Sequence, residues 1–324
     1  MTSIIKRVAT GPELSKSISY EESRAGMRLV LEGLADPVQA AVFLIGLRMK
    51  RETDDENKGI LQGIRDKTKT VVADVDELVD IADPYNGYGR SLPSSPFLPV
   101  LLAESGVPAV SHGVETVGTK FGVTHHQILQ AAGVSVELTG EEAGKQFSNP
   151  EIGWAYVDQS QFCPSLFGMA EFRKKIVKRA AISTAEVLTG PVRGRNKTHL
   201  LTGYVHNEYP PIYTMLARHS GFNSTFLMRG TEGCVTPSLR KRSEFVRYWE
   251  QSEDVVVEAD PSKIGIEQEN RLVPIPHALM PIIDREFGPD ENNAEIAKLA
   301  AKEGLAAIEG KKVPPVMPCF TVHR

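Results

Sequence analysis

The first seventy residues place apolar side chains at helical spacing. Met27, Leu29, Val30 and Leu31 form one group, Val42, Phe43, Leu44, Ile45 and Leu47 a second, and Ile60, Leu61 and Ile64 a third. Each group follows a helix start. Ser19-Tyr20-Glu21-Glu22 and Thr53-Asp54-Asp55-Glu56 have capping-box spacing, in which a hydroxyl and a carboxylate satisfy orphan N–H groups. Asp36-Pro37-Val38-Gln39 puts proline at the first helical position. Three helices are predicted. The middle one is apolar nearly all round, which predicts burial against other helices or at a subunit interface. Three short helices enclose little core alone, so a further helical segment or a second copy is expected against them.

From about residue 71 strand-like runs alternate with helical ones. Strands are predicted at Leu78–Ala82, Val107–Ser111, His199–Val205, Ser224–Met228 and Asp254–Glu258. Helices are predicted between or after them, at Phe97–Ser105, Thr124–Ala132, Glu141–Phe147, Ile212–Ser220 and Asn292–Glu309. Thr139-Gly140-Glu141-Glu142 is another capping box. Such alternation implies an α/β fold with a mainly parallel sheet. The helical stretch Leu166–Leu188 interrupts it and belongs with the N-terminal helices. The expected organisation is therefore a small all-helical domain, 1–72 completed by about 164–189, and a larger α/β domain, 73–163 with 190–324. The connections near 150–165 and 189–197 become hinge-like crossings.

Composition changes this picture little. With 41% hydrophobic and 24% charged residues among 324, the chain is an ordinary globular protein. A net charge of −4 excludes a global basic field, so any nucleic-acid site must be local. Cys163, Cys234 and Cys319 lack metal-ligand spacing and fit a reducing compartment. No apolar run approaches the ~20 residues of a membrane span. The N-terminus lacks the apolar content of a signal peptide. A cytoplasmic location and no membrane partner are expected.

The candidate chemistry begins at Asp83-Pro84-Tyr85-Asn86-Gly87-Tyr88-Gly89-Arg90, where a strand runs into a glycine-bearing loop before an apolar helix. Loops of this kind hold phosphate through backbone N–H groups. Pro84 has no N–H, however, and Tyr85 and Tyr88 are bulky where a phosphate cradle prefers small residues. Asn86, Gly87 and Gly89 remain as candidate phosphate contacts. Arg90, Lys120 and Arg229 are candidate phosphate-binding cations. The structural alternatives are a solvated surface Arg90 and an Arg229–Glu232 salt bridge. Ser94 and Ser95 are candidate helix caps or phosphate donors. His125 and His126 are adjacent on a helix start, face different ways and make no i, i+4 metal pair.

Phe172-Arg173-Lys174-Lys175-Ile176-Val177-Lys178-Arg179 packs five cations into about two helical turns, and Arg193-Gly194-Arg195-Asn196-Lys197 follows. Arg240-Lys241-Arg242 comes later. Arg173, Lys174, Lys175, Lys178, Arg179, Arg193 and Arg195 thus form a candidate polyanion stripe. The alternative is a solvated helix face balanced by Glu171 and Glu186. Tyr85, Tyr88, Trp154, Tyr156 and Phe162 are the candidate platforms for stacking single-stranded nucleic acid, or core aromatics.

Three stretches together resemble the anthranilate phosphoribosyltransferase family, glycosyltransferase family 3, which shares its fold with pyrimidine nucleoside phosphorylases. They are Leu47-Arg48-Met49-Lys50-Arg51-Glu52-Thr53 with its capped helices; the strand and glycine loop at 78–90 with Val107-Pro108-Ala109-Val110-Ser111-His112-Gly113; and Met228-Arg229-Gly230-Thr231-Glu232-Gly233. The resemblance covers most of the chain. It implies an interdomain cleft and a homodimer through the helical domain. His112 and Gly113 match the family's histidine and glycine, and Ser94 and Ser95 lie near its phosphate-binding Ser-Thr pair.

Each motif that touches the leaving group departs from the family pattern. The Gly-Thr-Gly-Gly-Asp loop is replaced by Pro84–Gly89, and Lys-His-Gly-Asn-Arg by Ser111-His112-Gly113-Val114-Glu115. Val235 and Thr236 stand where an Asp-Glu pair organises Mg²⁺, and Cys163 replaces a histidine before Pro164. No cofactor is expected, Mg²⁺ included. Losing one fixed donor costs about 2.7–4 kcal/mol of transition-state stabilisation, so joint loss should abolish the anthranilate reaction unless Arg90, Lys120 or Arg229 substitutes for the missing groups. Tyr85-Asn86-Gly87, Cys163-Pro164 and Gly230-Thr231-Glu232-Gly233 resemble a divergent branch associated with nucleic-acid binding. The expected ligand is a phosphorylated ribose compound or nucleotide in the cleft. The rival readings are a non-catalytic nucleic-acid-binding protein and an assembly protein with a vestigial cleft.

Overall fold

The computed structural model describes residues 1–11, 13–280 and 291–310. Cys319 and the proline-rich stretch after Lys311 lie outside them. Helices α1 (Thr2–Val8), α2 (Tyr20–Leu31), α3 (Pro37–Lys50) and α4 (Asp54–Arg65) begin the chain. The capping boxes of Ser19–Glu22 and Thr53–Glu56 both form, and Asp36 caps α3 ahead of Pro37. Glu56 is fully buried. It accepts from the backbone N–H of Ile18 and of Thr53 and pairs with Lys50 at 2.6 Å, so one carboxylate ties α4 to the segments before it.

Gly59 and Gly63 let α2 and α4 pack backbone to backbone. A Cβ on Gly59 would lie 2.5 Å from both Ser23 Cβ and the Tyr20 carbonyl, and one on Gly63 would lie 2.8 Å from Met27 Cβ. The middle helix, α3, is buried on one face only. Ala40, Phe43, Leu44 and Leu47 face the core, whereas Val38 and Met49 are exposed.

The sheet strands are β1 (Val71–Val72), β2 (Glu77–Ala82), β3 (Ala109–Gly113), β4 (Trp154–Asp158), β5 (Val192–Arg193), β6 (Lys197–Tyr204), β7 (Ser224–Arg229), β8 (Ser243–Trp249) and β9 (Val255–Ala259). Seven of them form the main sheet in the order β4-β3-β2-β6-β7-β8-β9; β1 and β5 pair separately. The first five of the main sheet are parallel, and β8 and β9 extend it antiparallel. The α/β class with a mainly parallel sheet is therefore correct. Consecutive strands run outward from β2 through β3 to β4, then outward again from β6 to β7. The order reverses between β2 and β6, and ligands of open α/β sheets bind beyond the carboxyl ends of strands at such a point.

Several elements differ from expectation. Residues 150–165 are not a plain crossing: β4 lies there, buried as the sheet's edge strand. β8 was not anticipated; its alternation of exposed and buried residues is that of a half-covered antiparallel strand. Leu166–Leu188 is not one helix. It breaks into Pro164–Phe167, Ala170–Ile176 and Ile182–Ala185, with Val177 in the left-handed region at φ 64°. Among the described residues no helix is long and apolar enough to cross a membrane.

Candidate functional site

The loop after β2 folds around Asp83. Its carboxylate accepts from the Tyr88 hydroxyl, the Ser95 hydroxyl, His125 Nε2 at 2.9 Å and the Val235 N–H at 3.0 Å. Burial pushes this carboxyl up, but His125, Ser95 and Tyr88 outweigh burial and hold it below the ordinary range. Ser95 Oγ also lies 2.8 Å from His125 Nε2. Hydroxyl and carboxylate thus share one ring nitrogen. A catalytic relay needs them on opposite nitrogens, so this is a structural knot and not a nucleophile. Neither serine caps the following turn: Ser94 makes no side-chain cap bond and Ser95 is committed to Asp83.

The second half of the loop does form an anion cradle, already filled. The Gly89 N–H donates to Glu232 Oε1 at 3.1 Å, and the Arg90 N–H and Ser91 hydroxyl donate to Oε2, each at 3.1 Å. Lys120 Nζ lies 2.5 Å from Oε1 and donates to the Gly87 carbonyl at 2.6 Å. Burial lowers the Lys120 ammonium against the opposing pull of Glu232. Glu232 is pushed up by burial but held below the ordinary range by Lys120 and the loop donors. The Arg229–Glu232 bridge, the alternative to a phosphate role for Arg229, does not form among the described residues; Glu232 pairs with Lys120. Arg229 and the Arg90 side chain are exposed.

Other expected phosphate contacts are spent internally. His112 is buried, with Nε2 2.8 Å from Asp80 and Nδ1 bonded to the Tyr85 hydroxyl, so neither ring nitrogen is open. Gly113 ends β3 against Tyr156, whose hydroxyl a Cβ would approach to 3.0 Å. His126 pairs with Asp158 at 2.9 Å. Tyr85, Tyr88, Tyr156 and Phe162 are buried and offer no stacking platform. The buried Cys163 thiol is raised by desolvation, which disfavours a reactive thiolate.

The basic stripe divides. Arg173 is buried and bidentate to Glu186, both bonds at 2.7 Å. Arg193 donates to the Ser220 and Gly190 carbonyls and stacks on Phe222, and burial lowers it to about 10. Arg195 is neutralised by Asp74 and Asp76. Arg173 and Arg193 are thus turned into the protein, and Arg195 is paired at its surface. Lys175 and Lys178 stay exposed, and Lys174 is half-buried. Arg179 turns to the loop: with its amide oxygen toward the guanidinium, Asn86 accepts from Arg179 Nη2 at 2.7 Å and Nε at 3.2 Å.

This contact lies in a cleft of about 200 Å³ between the helical segments and the strand ends. Arg48 of α3, Arg179, Asn86, His206, Tyr209 and Tyr213 line it. Arg48 Nη2 lies 2.9 Å from the Tyr209 hydroxyl. Sequence reasoning did not single out Arg48, His206 or the tyrosine pair as site residues, although Arg48 sits inside a quoted motif. Two larger hollows, of about 500 and 470 Å³, lie on α1 and α3 and beside β9. Both are mainly apolar and neither sits at the point where the strand order reverses, so chemistry rather than size selects the cleft.

The fold is thus a helical bundle joined to a mainly parallel α/β domain, with strand-end loops meeting at the junction. Residues 2–68 match the model of the helical bundle domain of the glycosyl transferase family. Anthranilate phosphoribosyltransferase of Cupriavidus necator is 28% identical over 225 residues, 69% of this chain and 64% of that enzyme, so the match spans less than two thirds of the relative. The Rhodopseudomonas palustris enzyme is 24% identical over 264 residues, 82% of this chain and 74% of the relative. In structure, the Thermus thermophilus enzyme superposes with a TM-score of 0.68 at 19% identity, covering 98% of this chain and 85% of that one. The Saccharomyces cerevisiae enzyme in complex with PRPP and Mg gives 0.70 at 15%, covering 97% and 84%. Residues 2–68 thus match the helical bundle domain of the glycosyl transferase family, and the chain as a whole is similar in sequence and fold to anthranilate phosphoribosyltransferases.

Proposed function

We propose that the interdomain cleft binds a phosphorylated ribose or nucleotide and that the protein does not catalyse the anthranilate reaction. The observation that carries this reading is the convergence of Arg48 and Arg179 on a small cleft where the strand order reverses. Ligand pockets run from roughly 300 to 1,000 Å³, and this one lies below that range, which suits a sugar phosphate better than a dinucleotide. Arg179 is the phosphate contact. Tyr209 and Tyr213, with ring centres 6.0 Å apart, form the apolar wall for a sugar or base.

The donor set does not fit Mg²⁺. Asp83 is enclosed by four donors, Glu232 is paired with Lys120, and Val235 and Thr236 add no carboxylate. Among the described residues no group of three His, Cys, Asp or Glu side chains stands together. Calorimetric titration with ribose 5-phosphate and with a nucleoside monophosphate tests the binding reading. Binding that weakens at least about tenfold in Arg179→Ala supports it, and titrations without heat or without dependence on Arg179 refute it. Product formation from PRPP, anthranilate and Mg²⁺ would overturn the catalytic half.

A second reading keeps one specific observation. Lys174, Lys175 and Lys178 cluster at the end of helix Ala170–Ile176 with no ion pair among the described residues, a local positive patch suited to nucleic acid. Binding of a single-stranded oligonucleotide that falls steeply with salt, and less steeply in the triple alanine variant, would support it.

A further inference from the structure

We propose that residues Gly89–Ser91 with Lys120 form an oxyanion site whose resident ligand is the protein's own Glu232, and that a free phosphoryl or sulfate oxyanion enters only by displacing that side chain. The inference goes beyond the cleft reading, because it concerns donors that the cleft ligand need not touch. Two backbone N–H groups, one hydroxyl and one ammonium converge on the carboxylate, each oxygen receiving two of the four contacts. This is the donor chemistry that holds a phosphate, since consecutive backbone N–H groups make an anion-binding concavity and a lysine supplies charge.

Glu232 reaches the cradle from the loop after β7, and it does so in the left-handed region, at φ 60° and ψ 8°. A non-glycine residue there is uncommon and strained. A carboxylate held in a strained backbone by four donors occupies the place of a ligand without being permanently bonded. One oxyanion leaves and another arrives, so Lys120 and the N–H groups have an acceptor in either state. Glu232 also lines the interdomain cleft, so its release changes the cleft wall.

Glu232→Gly is the natural test, because glycine relieves the positive φ while removing the carboxylate. Inorganic phosphate is titrated into wild type and variant, with binding measured by calorimetry and located by the amide resonances of Gly89 and Arg90. The expected result is at least about tenfold tighter phosphate binding in the variant, with both amides moving, and loss of that gain when Lys120→Ala is added. Equal phosphate affinity in wild type and a folded variant would overturn the proposal. Should the glycine variant not fold, Glu232→Gln keeps the side chain's size and drops its charge: Gly89 and Arg90 amides that differ from wild type support the contact, and identical resonances overturn it. The cleft reading is judged by ribose 5-phosphate binding to the wild type, and this one by the Gly89 and Arg90 amides of the variant under inorganic phosphate, so failure of either is distinguishable.

Discussion

Removing Arg173 should unfold the protein's junction rather than weaken a ligand. The guanidinium makes two 2.7 Å bonds to Glu186, with side-chain exposures of 7% and 2%. In Arg173→Ala the carboxylate stays buried, and among the described residues Gln159 Nε2, at 3.3 Å, is the one side-chain donor left to it. Breaking one partner of a buried ion pair costs about 3–5 kcal/mol, because the survivor is left uncompensated. At roughly 2 °C per kcal/mol for a large chain, the melting temperature should fall by about 6–10 °C. Lys175→Ala, two positions along the same basic run but exposed, should change stability by less than about 0.5 kcal/mol. The double replacement Arg173→Met with Glu186→Leu should recover most of the loss, since a packed apolar pair avoids the desolvation of both charges. Thermal melts by circular dichroism measure all three. An Arg173→Ala melt matching wild type, or a double variant as weak as the single, would refute the assignment of Arg173 to the core.

Gly59→Ala should destabilise by about 1–3 kcal/mol in denaturant melts, because its Cβ would meet the α2 backbone at 2.5 Å. Asp83→Asn should cost about 1–3 kcal/mol at neutral pH. Because the folded Asp83 carboxyl is held below its ordinary 3.8, its contribution is fully present above that value and is lost as pH falls through the folded value. The wild-type advantage over Asp83→Asn should therefore be flat from pH 7 to about 5 and shrink only below about 3.8, measured as denaturation midpoints. The exposed apolar face of α3, with Val38 and Met49, is the surface through which we propose that the helical domain pairs. Met49→Glu should then raise the dimer dissociation constant in sedimentation equilibrium, and an unchanged association state would remove that proposal.

The helix starts were legible because a cap is a local event, complete within four residues. Ser19–Glu22, Thr53–Glu56 and Thr139–Glu142 all close as their spacing dictates. The parallel strands were legible from alternation with helices. β4 was not, because a five-residue run ending in Asp158 and a helix resembles a connection until β3 pairs with it. The site was less legible than the fold. Glu232 and the Gly89 N–H are 143 positions apart, and nothing local in either segment points to the other. Arg173 and Glu186 are 13 apart across a broken helix, so their pairing has no helical spacing. The run of cations looked uniform in sequence, yet Arg173 turns inward to Glu186 while Lys175 stays exposed.

The loops after β2 and β7 are coupled through shared hydrogen bonds. Tyr88 is too large for a phosphate cradle, but its hydroxyl supplies one of the donors that keep Asp83 ionised in the interior. Val235 brings no carboxylate to a metal, but its N–H closes the same Asp83 network from 152 positions away. Glu232 brings a negative charge to the Gly89–Ser91 turn, where repulsion would follow if a diphosphate also had to bind, and it consumes the donors that such a ligand would use. A random loss of motif residues would leave buried N–H groups and carboxylates unpaired, at about 1–3 kcal/mol each. Here the loop after β2 is joined to the loop after β7 by protein groups alone. The strand ends are therefore held by these side-chain and backbone contacts, and Glu232 shares the wall of the Arg48–Arg179 cleft beside them.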